Sequence, residues 1–170
     1  MLRRLRIQHH TDMKVYRSAH SEWRNVLLHK AMIPVECWSA ILFLYVAVDV
    51  LGRVLEGLDY PSLLLMSLPR VVTGLLGLLS LALATKRWVG ATTFLFHIFV
   101  VISCEMLMSA CKDSGMLVLS MLGAVSWTLA WLLQVVVGHL WLEKNSPNVA
   151  NMNEVSYLAM CQSVLIAWSV

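Results

Sequence analysis

Four long apolar runs, separated by short polar segments, constrain this chain more than any other feature of its sequence. They cover residues 33–51, 62–84, 88–110 and 116–142. Each is close to the roughly 20 apolar residues that a transmembrane helix needs. A fifth run, residues 155–170, is short for a span and is interpreted as an interfacial or re-entrant helix. The pattern predicts an all-α, polytopic membrane bundle of about four transmembrane helices plus this short C-terminal helix.

The composition excludes the soluble alternatives. Of the 170 residues, 59% are hydrophobic and 14% are charged, against about 45–50% and about 25% in soluble domains. A chain this short has too little interior for so much apolar surface. Its net charge of +3 does not suit a nucleic-acid binder, so membrane lipids are the expected partners. We divide the chain into a basic arm (1–15), a membrane domain (16–147) and a tail (148–170).

The lysines and arginines predict an orientation. Ten of the thirteen precede the first run, separate the second from the third, or follow the fourth. With four spans these segments share one face, so the positive-inside rule places both termini in the cytoplasm or the mitochondrial matrix. The opening MLRRLRIQ contains no acid. It is typical either of a mitochondrial address or of a basic arm attracted to anionic lipid.

Two histidines near the first run are predicted to meet only if their helix breaks. Tyr16 and His20 are four residues apart and share a helix face, as do Asn25 and His29. His20 and His29 are nine apart, which puts them on opposite faces of a straight helix. Ser21 and Asn25 are both suitable N-caps for a second helix. A break in this segment would therefore bring the two imidazoles together.

A third histidine follows the fourth run, at the same predicted membrane face. His139 and Glu143 are four residues apart and point the same way. Imidazoles with a carboxylate and open positions are the ligands expected for non-haem Fe(II) oxygen chemistry. Glu143 would either bind the metal or accept a hydrogen bond that fixes a histidine tautomer. The alternative is ordinary interfacial polar residues. Wide separation of the three rings would favour a role as an accessory subunit of a larger complex.

Other polar residues lie inside the predicted spans. Charges in lipid are costly and usually pair, so we expect Arg70 to pair with Asp49 or Glu105. His97 lies midway along the third run. It either hydrogen-bonds within the bundle or has a direct chemical role. Pro34 is interpreted as a first-turn proline, where proline is tolerated.

Two motifs in this chain resemble one family of known proteins. The pattern Y-x3-H-x4-N-x3-H-x4-P is met by Tyr16, His20, Asn25, His29 and Pro34. The pattern Q…G-H-x3-E-K-x2-P is met by Gln134, Gly138, His139, Glu143, Lys144 and Pro147. Together they resemble the family of small four-span membrane proteins typified by yeast 2-hydroxy-fatty-acid (2-hydroxypalmitate) dioxygenase, which acts in phytosphingosine breakdown. The resemblance covers about residues 16–147.

The resemblance implies an Fe(II)-dependent dioxygenase of the endoplasmic reticulum. Such an enzyme shortens long-chain 2-hydroxy fatty acids by one carbon through α-oxidation. The metal ligands implied by the motifs are His20, His29 and His139. The motif residues expected to take part in catalysis are Glu143, Tyr16 and Asn25.

The motifs also depart from the family's pattern. Leu140 follows the Gly-His pair, Asn148 follows Pro147, and Ser-Glu-Trp-Arg replaces a stretch that often contains proline. These changes leave each expected ligand in place but alter the surroundings of a substrate. The alternative hypothesis is therefore a non-catalytic relative, either an accessory subunit of a larger complex in the mitochondrial inner membrane or a lipid-binding scaffold.

Overall fold

The computed structural model describes residues 2–55, 62–111, 115–144 and 163–169. Within them the elements are α1 (Leu2–Ala19), α2 (Trp23–Leu55), α3 (Ser62–Leu83), α4 (Arg87–Ala110), α5 (Met116–Leu132), a π-helical continuation (Leu133–Glu143, the π segment) and α6 (Ser163–Ser169). These described ranges contain helices and no strand, which confirms the all-α prediction.

Three helices are long and apolar enough to cross a membrane. They are Trp23–Leu55, Arg87–Ala110 and the continuous Met116–Glu143, which joins α5 to the π segment. In α3, the described side chains add a shorter apolar stretch, Ser67–Leu83. The membrane character of the chain is confirmed, with three helices of spanning length and a shorter apolar fourth.

Helices α2 and α5 run antiparallel, and glycines allow their close approach. A Cβ on Gly123 in α5 would lie 3.3 Å from the Phe43 ring in α2. Further along, a Cβ on Gly138 would lie only 2.2 Å from Asn25 Oδ1. The beginning of α2 therefore faces the end of the π segment.

Helix α3 runs antiparallel to α4, which in turn is parallel to α2. Glu105, near the end of α4, pairs with Arg70 near the beginning of α3. Glu105 is one of the two partners that the sequence predicted for Arg70. The same carboxylate accepts a hydrogen bond of 3.0 Å from the Tyr45 hydroxyl in the second half of α2. Asp49 pairs instead with Arg53, one turn away at 2.7 Å.

The alternating helices give the bundle one end where α2 and α4 begin and where α3 and the π segment end. We call it the histidine end. Helix α1 packs there, with Arg6 Nε donating to the Ala82 carbonyl oxygen at 3.0 Å. Helix α6 packs there too, because its Leu165 is buried against Leu83 and Val89. The ends of the main helices are thus covered by two additional helices.

Proline 34 does not lie in a first turn, so that interpretation is wrong. Helix α2 begins earlier, at Trp23, and Pro34 is in its interior. Since proline has no N–H, the Lys30 carbonyl oxygen loses its ordinary helical partner. The indole Nε1–H of Trp168 in α6 donates to that oxygen at 3.0 Å. The proline therefore creates an acceptor in α2 that the C-terminal helix occupies.

Candidate metal centre

The helical conformation is interrupted at His20, as the spacing of this residue from His29 requires if the two rings are to meet. Helix α1 ends at Ala19 and α2 begins at Trp23, so His20 lies in the short connection. The Glu22 carboxylate accepts a hydrogen bond from the Arg24 backbone N–H at 3.4 Å. Glu22 is thus a capping residue at the start of α2, a role that the sequence assigned to Ser21 or Asn25.

Three histidines from different parts of the chain meet at the histidine end. Ring centroids lie 4.5 Å apart for His20 and His29, 5.1 Å for His20 and His139, and 5.2 Å for His29 and His139. Each offers one ring nitrogen, and these nitrogens all lie within 4.8 Å of one another. The convergence is the arrangement expected for a metal site rather than for scattered interfacial histidines.

Each imidazole is held through Nδ1 by an oxygen acceptor. His20 Nδ1–H donates to the Tyr16 carbonyl oxygen at 2.8 Å. His29 Nδ1–H donates to Gln134 Oε1 at 2.5 Å, and His139 Nδ1–H donates to Glu143 Oε2 at 3.1 Å. Since these acceptors hold the proton on Nδ1, the lone pair of each ring lies on Nε2. In metal-binding histidines, a hydrogen bond from the nitrogen that does not bind the metal orients the ring in this way.

The π segment explains how Gln134 and His139 both face α2. Residues five apart are about 140° apart on an α-helix. In a π-helix the bonding is i→i+5 and each turn contains more residues, so residues five apart lie closer to the same face. The segment ends where the Lys144 N–H donates to the His139 carbonyl oxygen, with Lys144 in the left-handed region at φ 54°. The wider turn therefore presents both side chains to His29.

Several buried polar atoms around the cluster have no hydrogen-bond partner within the described part of the chain. They are His20 Nε2, His29 Nε2, the Tyr16 hydroxyl, both polar atoms of the Asn25 side chain, and Glu143 Oε1. Asn25 is fully buried, and only 3% of the Glu143 side chain is exposed. Buried polar groups are normally satisfied, so this concentration of unpartnered atoms indicates a ligand-binding site. Two unpartnered imidazole nitrogens beside a third imidazole fit a transition-metal ion.

Tyr16 completes one wall of this site. Its ring stacks on His20 with centroids 4.1 Å apart and meets His29 edge-on at 6.1 Å. Burial, and secondarily the charge of Glu143, raise the pKa of Tyr16, so its hydroxyl stays protonated. Burial also lowers the pKa of His20, against the opposing effect of its hydrogen bond to the Tyr16 carbonyl. The neutral imidazole that a metal requires is thereby favoured.

Glu36 belongs to the site and was missed from the sequence. Gln134 Nε2 donates to Glu36 Oε1 at 2.8 Å, while Gln134 Oε1 accepts from His29. A chain of hydrogen bonds therefore links a carboxylate in α2 to the ring of His29. The available signal was an acid seven residues after His29, on the same helix face.

The other histidines lie outside this cluster. His97 is buried in α4, where its Nδ1–H donates to the Thr93 carbonyl oxygen at 2.7 Å. His9 and His10 lie in α1, with ring centroids 6.5 Å apart. His9 is buried and His10 is exposed. The motif residue Pro147 and the tail residue Asn148 lie outside the described residues.

One family model matches residues 7–168 of the chain, and its description is 2-hydroxy-palmitic acid dioxygenase Mpo1-like. The matched region extends from α1 to Trp168 and includes every residue of the histidine cluster. No curated protein and no solved structure matches the chain.

Proposed function

The chain belongs to this Mpo1-like family, and we propose that it is an Fe(II)-dependent membrane dioxygenase acting on long-chain 2-hydroxy fatty acids. The observation that carries the proposal is the convergence of His20, His29 and His139. Their second ring nitrogens are already committed to oxygen acceptors. A purely structural cluster would have no need to bring three imidazole nitrogens within 4.8 Å of one another.

The three Nε2 atoms would hold the ion. Bound there, Fe(II) would supply activation of O₂ and open positions for the hydroxyl and carboxylate oxygens of the substrate. The hydrogen bond from His139 to Glu143 makes that carboxylate an orienting acceptor, as the sequence had allowed. Gln134 orients His29 in the same way, and the backbone of Tyr16 orients His20.

The unpartnered groups beside the histidines suit the polar end of a 2-hydroxy acid. The Tyr16 hydroxyl and the Asn25 Nδ2–H₂ are donors that would bind the substrate carboxylate. Glu143 Oε1 is an acceptor that would accept a hydrogen bond from the 2-hydroxyl group. Because these atoms are buried and lack partners in the described chain, binding such a headgroup would remove an energetic penalty instead of adding one.

A four-span arrangement agrees with the antiparallel order of the helices. Helix α3 has 22 residues, about 33 Å at 1.5 Å per residue, which matches a hydrocarbon core of about 30 Å. An even number of crossings returns the π segment to the face where α2 begins. We therefore propose that α3 also spans the membrane, which brings the number of spans to four. We further propose that both termini lie on the cytoplasmic face and that the membrane is that of the endoplasmic reticulum.

Replacement of one ligand tests the metal assignment. His29→Ala should abolish both bound iron and turnover of 2-hydroxypalmitate in the full-length protein purified in detergent. His97→Ala is the matched control, since it removes another buried helical histidine and should retain both. Iron is measured by elemental mass spectrometry, product by lipid mass spectrometry, and helicity by circular dichroism. Full turnover by a helical His29→Ala protein would contradict the proposal.

Replacement of Tyr16 tests the headgroup assignment separately from metal binding. Tyr16→Phe keeps the ring that stacks on His20 but removes the O–H donor. We expect iron content to be unchanged and kcat/KM to fall about tenfold or more, as for loss of a buried hydrogen bond to a charged group. A wild-type protein that never retains iron would instead favour the non-catalytic subunit or scaffold.

A further inference from the structure

Helix α1 has a buried polar face and a basic outer face. Asp12 is its only acid, and it is 3% exposed and accepts a hydrogen bond from Gln8 at 3.0 Å. His9 and Met13 are buried on the same side. The exposed basic residues are Arg3, Arg4, Arg6, His10, Lys14 and Arg17. The outward surface of α1 thus carries cationic side chains with no acid exposed among them.

The helix lies across the histidine end and is fastened near both of its own ends. Arg6 donates to the Ala82 carbonyl oxygen at the end of α3. Arg17 donates to the Ser169 carbonyl oxygen at the end of α6, at 3.3 Å. An 18-residue helix is about 27 Å long. These two attachments hold its basic surface outward over much of the end of the bundle.

Three exposed tryptophans mark the depth of this end. Trp23 at the start of α2 is 66% exposed, Trp88 at the start of α4 is 64%, and Trp141 near the end of the π segment is 70%. Tryptophan concentrates at the level of lipid headgroups, where its ring meets apolar chains and its N–H meets water. Each lies within one turn of the terminus that its helix places at the histidine end, and we call the three together the tryptophan collar.

We propose that the outer face of α1 binds anionic phospholipids, with the tryptophan collar in the headgroup layer of the same leaflet. Further exposed cations at this end are Arg24, Lys86, Arg87 and Lys144. Headgroups are favoured over nucleic acid or an acidic protein because the collar sets this surface at headgroup depth. Anionic lipids attract such clusters of basic residues. The inference does not depend on iron binding.

The test measures the lipid preference of the full-length protein in detergent micelles. Fluorescent phosphatidylglycerol and fluorescent phosphatidylcholine are titrated in parallel, and the ratio of their affinities is the readout. The variant Arg3→Gln/Arg4→Gln/Lys14→Gln should reduce the preference for phosphatidylglycerol at least tenfold. Each basic side chain near an anionic surface contributes about fivefold. The charge-preserving variant Arg3→Lys/Arg4→Lys/Lys14→Arg is the matched control and should keep the wild-type ratio.

A second measurement keeps the test decisive if the neutral variant folds poorly. Raising the ionic strength from about 0.01 M to about 1 M shortens the screening length from about 30 Å to about 3 Å. The wild-type preference should then largely disappear. An unchanged ratio in the folded neutral variant, or in wild type at high salt, would overturn the proposal. So would tighter binding of a short DNA duplex than of phosphatidylglycerol under the same conditions.

Discussion

The contact between Trp168 and the Lys30 carbonyl links the C-terminal helix to the turn of α2 that carries His29. Trp168→Phe removes the indole donor but keeps an aromatic ring against Phe96, whose centroid lies 5.5 Å from that of Trp168. The Lys30 oxygen is then left without a partner, because Pro34 has no N–H to offer. The substitution therefore tests one hydrogen bond with little change in packing.

The expected cost follows from that hydrogen bond. Losing a partner leaves a partly buried carbonyl unsatisfied, at about 1–2 kcal/mol. For a chain of this size each 1 kcal/mol corresponds to about 2–4 °C in Tm, so the expected decrease is about 2–8 °C. Because Lys30 adjoins His29, part of this energy should also appear as weaker iron retention. A change of 1.4 kcal/mol in binding is tenfold in affinity, which sets the scale of the expected loss.

Two further variants separate this link from a general loss of stability. Trp38 Nε1–H donates to Ser103 Oγ at 2.9 Å, between α2 and α4. Trp38→Phe should therefore lower Tm by a similar amount but leave iron affinity unchanged. Pro34→Ala restores an N–H to the Lys30 carbonyl and should rescue the Trp168→Phe protein. Thermal unfolding by circular dichroism and iron titration provide the data. Equal iron affinity in the two Trp→Phe variants, or no rescue by Pro34→Ala, would refute the reasoning.

Two other predictions concern packing and pH. A Cβ at Gly138 would lie 2.2 Å from Asn25 Oδ1, whereas one at Gly74 would contact nothing within 4 Å. Gly138→Ala should therefore lower Tm by an amount equivalent to about 1–3 kcal/mol and weaken iron binding at the adjacent His139. Gly74→Ala should do neither, and equal effects would contradict the packing argument. Burial lowers the pKa of His9 from 6.5, so the unfolded chain binds the extra proton and stability is lost as pH falls below about 6.5. His9→Leu should make Tm less dependent on pH between 8 and 5, and parallel wild-type and variant curves would count against this role.

Much of the histidine site was predictable because its constraints are local or topological. The nine-residue spacing of His20 and His29 required an interruption of the helix, and the helix is interrupted at His20. The alternation of apolar runs brought His139 to the same end, where its ring meets the other two. Arg70 pairs with Glu105 for a similarly general reason, since a charge within an apolar helix requires a counter-charge.

Other features of the site depend on contacts between distant segments. The change from α5 to the π segment brings Gln134 and His139 to the same side, where both meet His29. Glu36 becomes part of the site only because Gln134 of another helix lies between it and His29. Periodicity describes one helix at a time, so it cannot show which side chains of two helices will share a hydrogen bond.

By itself, the sequence determined that the chain is helical, that it belongs in a membrane, and which end is basic, because these properties follow from side-chain hydropathy and charge. The tertiary structure decided which nitrogen of each imidazole is left open, because that depends on an acceptor reaching Nδ1. It also decided that Pro34 is a docking point instead of a helix start. The carbonyl freed by that proline is useful only where Trp168 of α6 reaches it across the bundle.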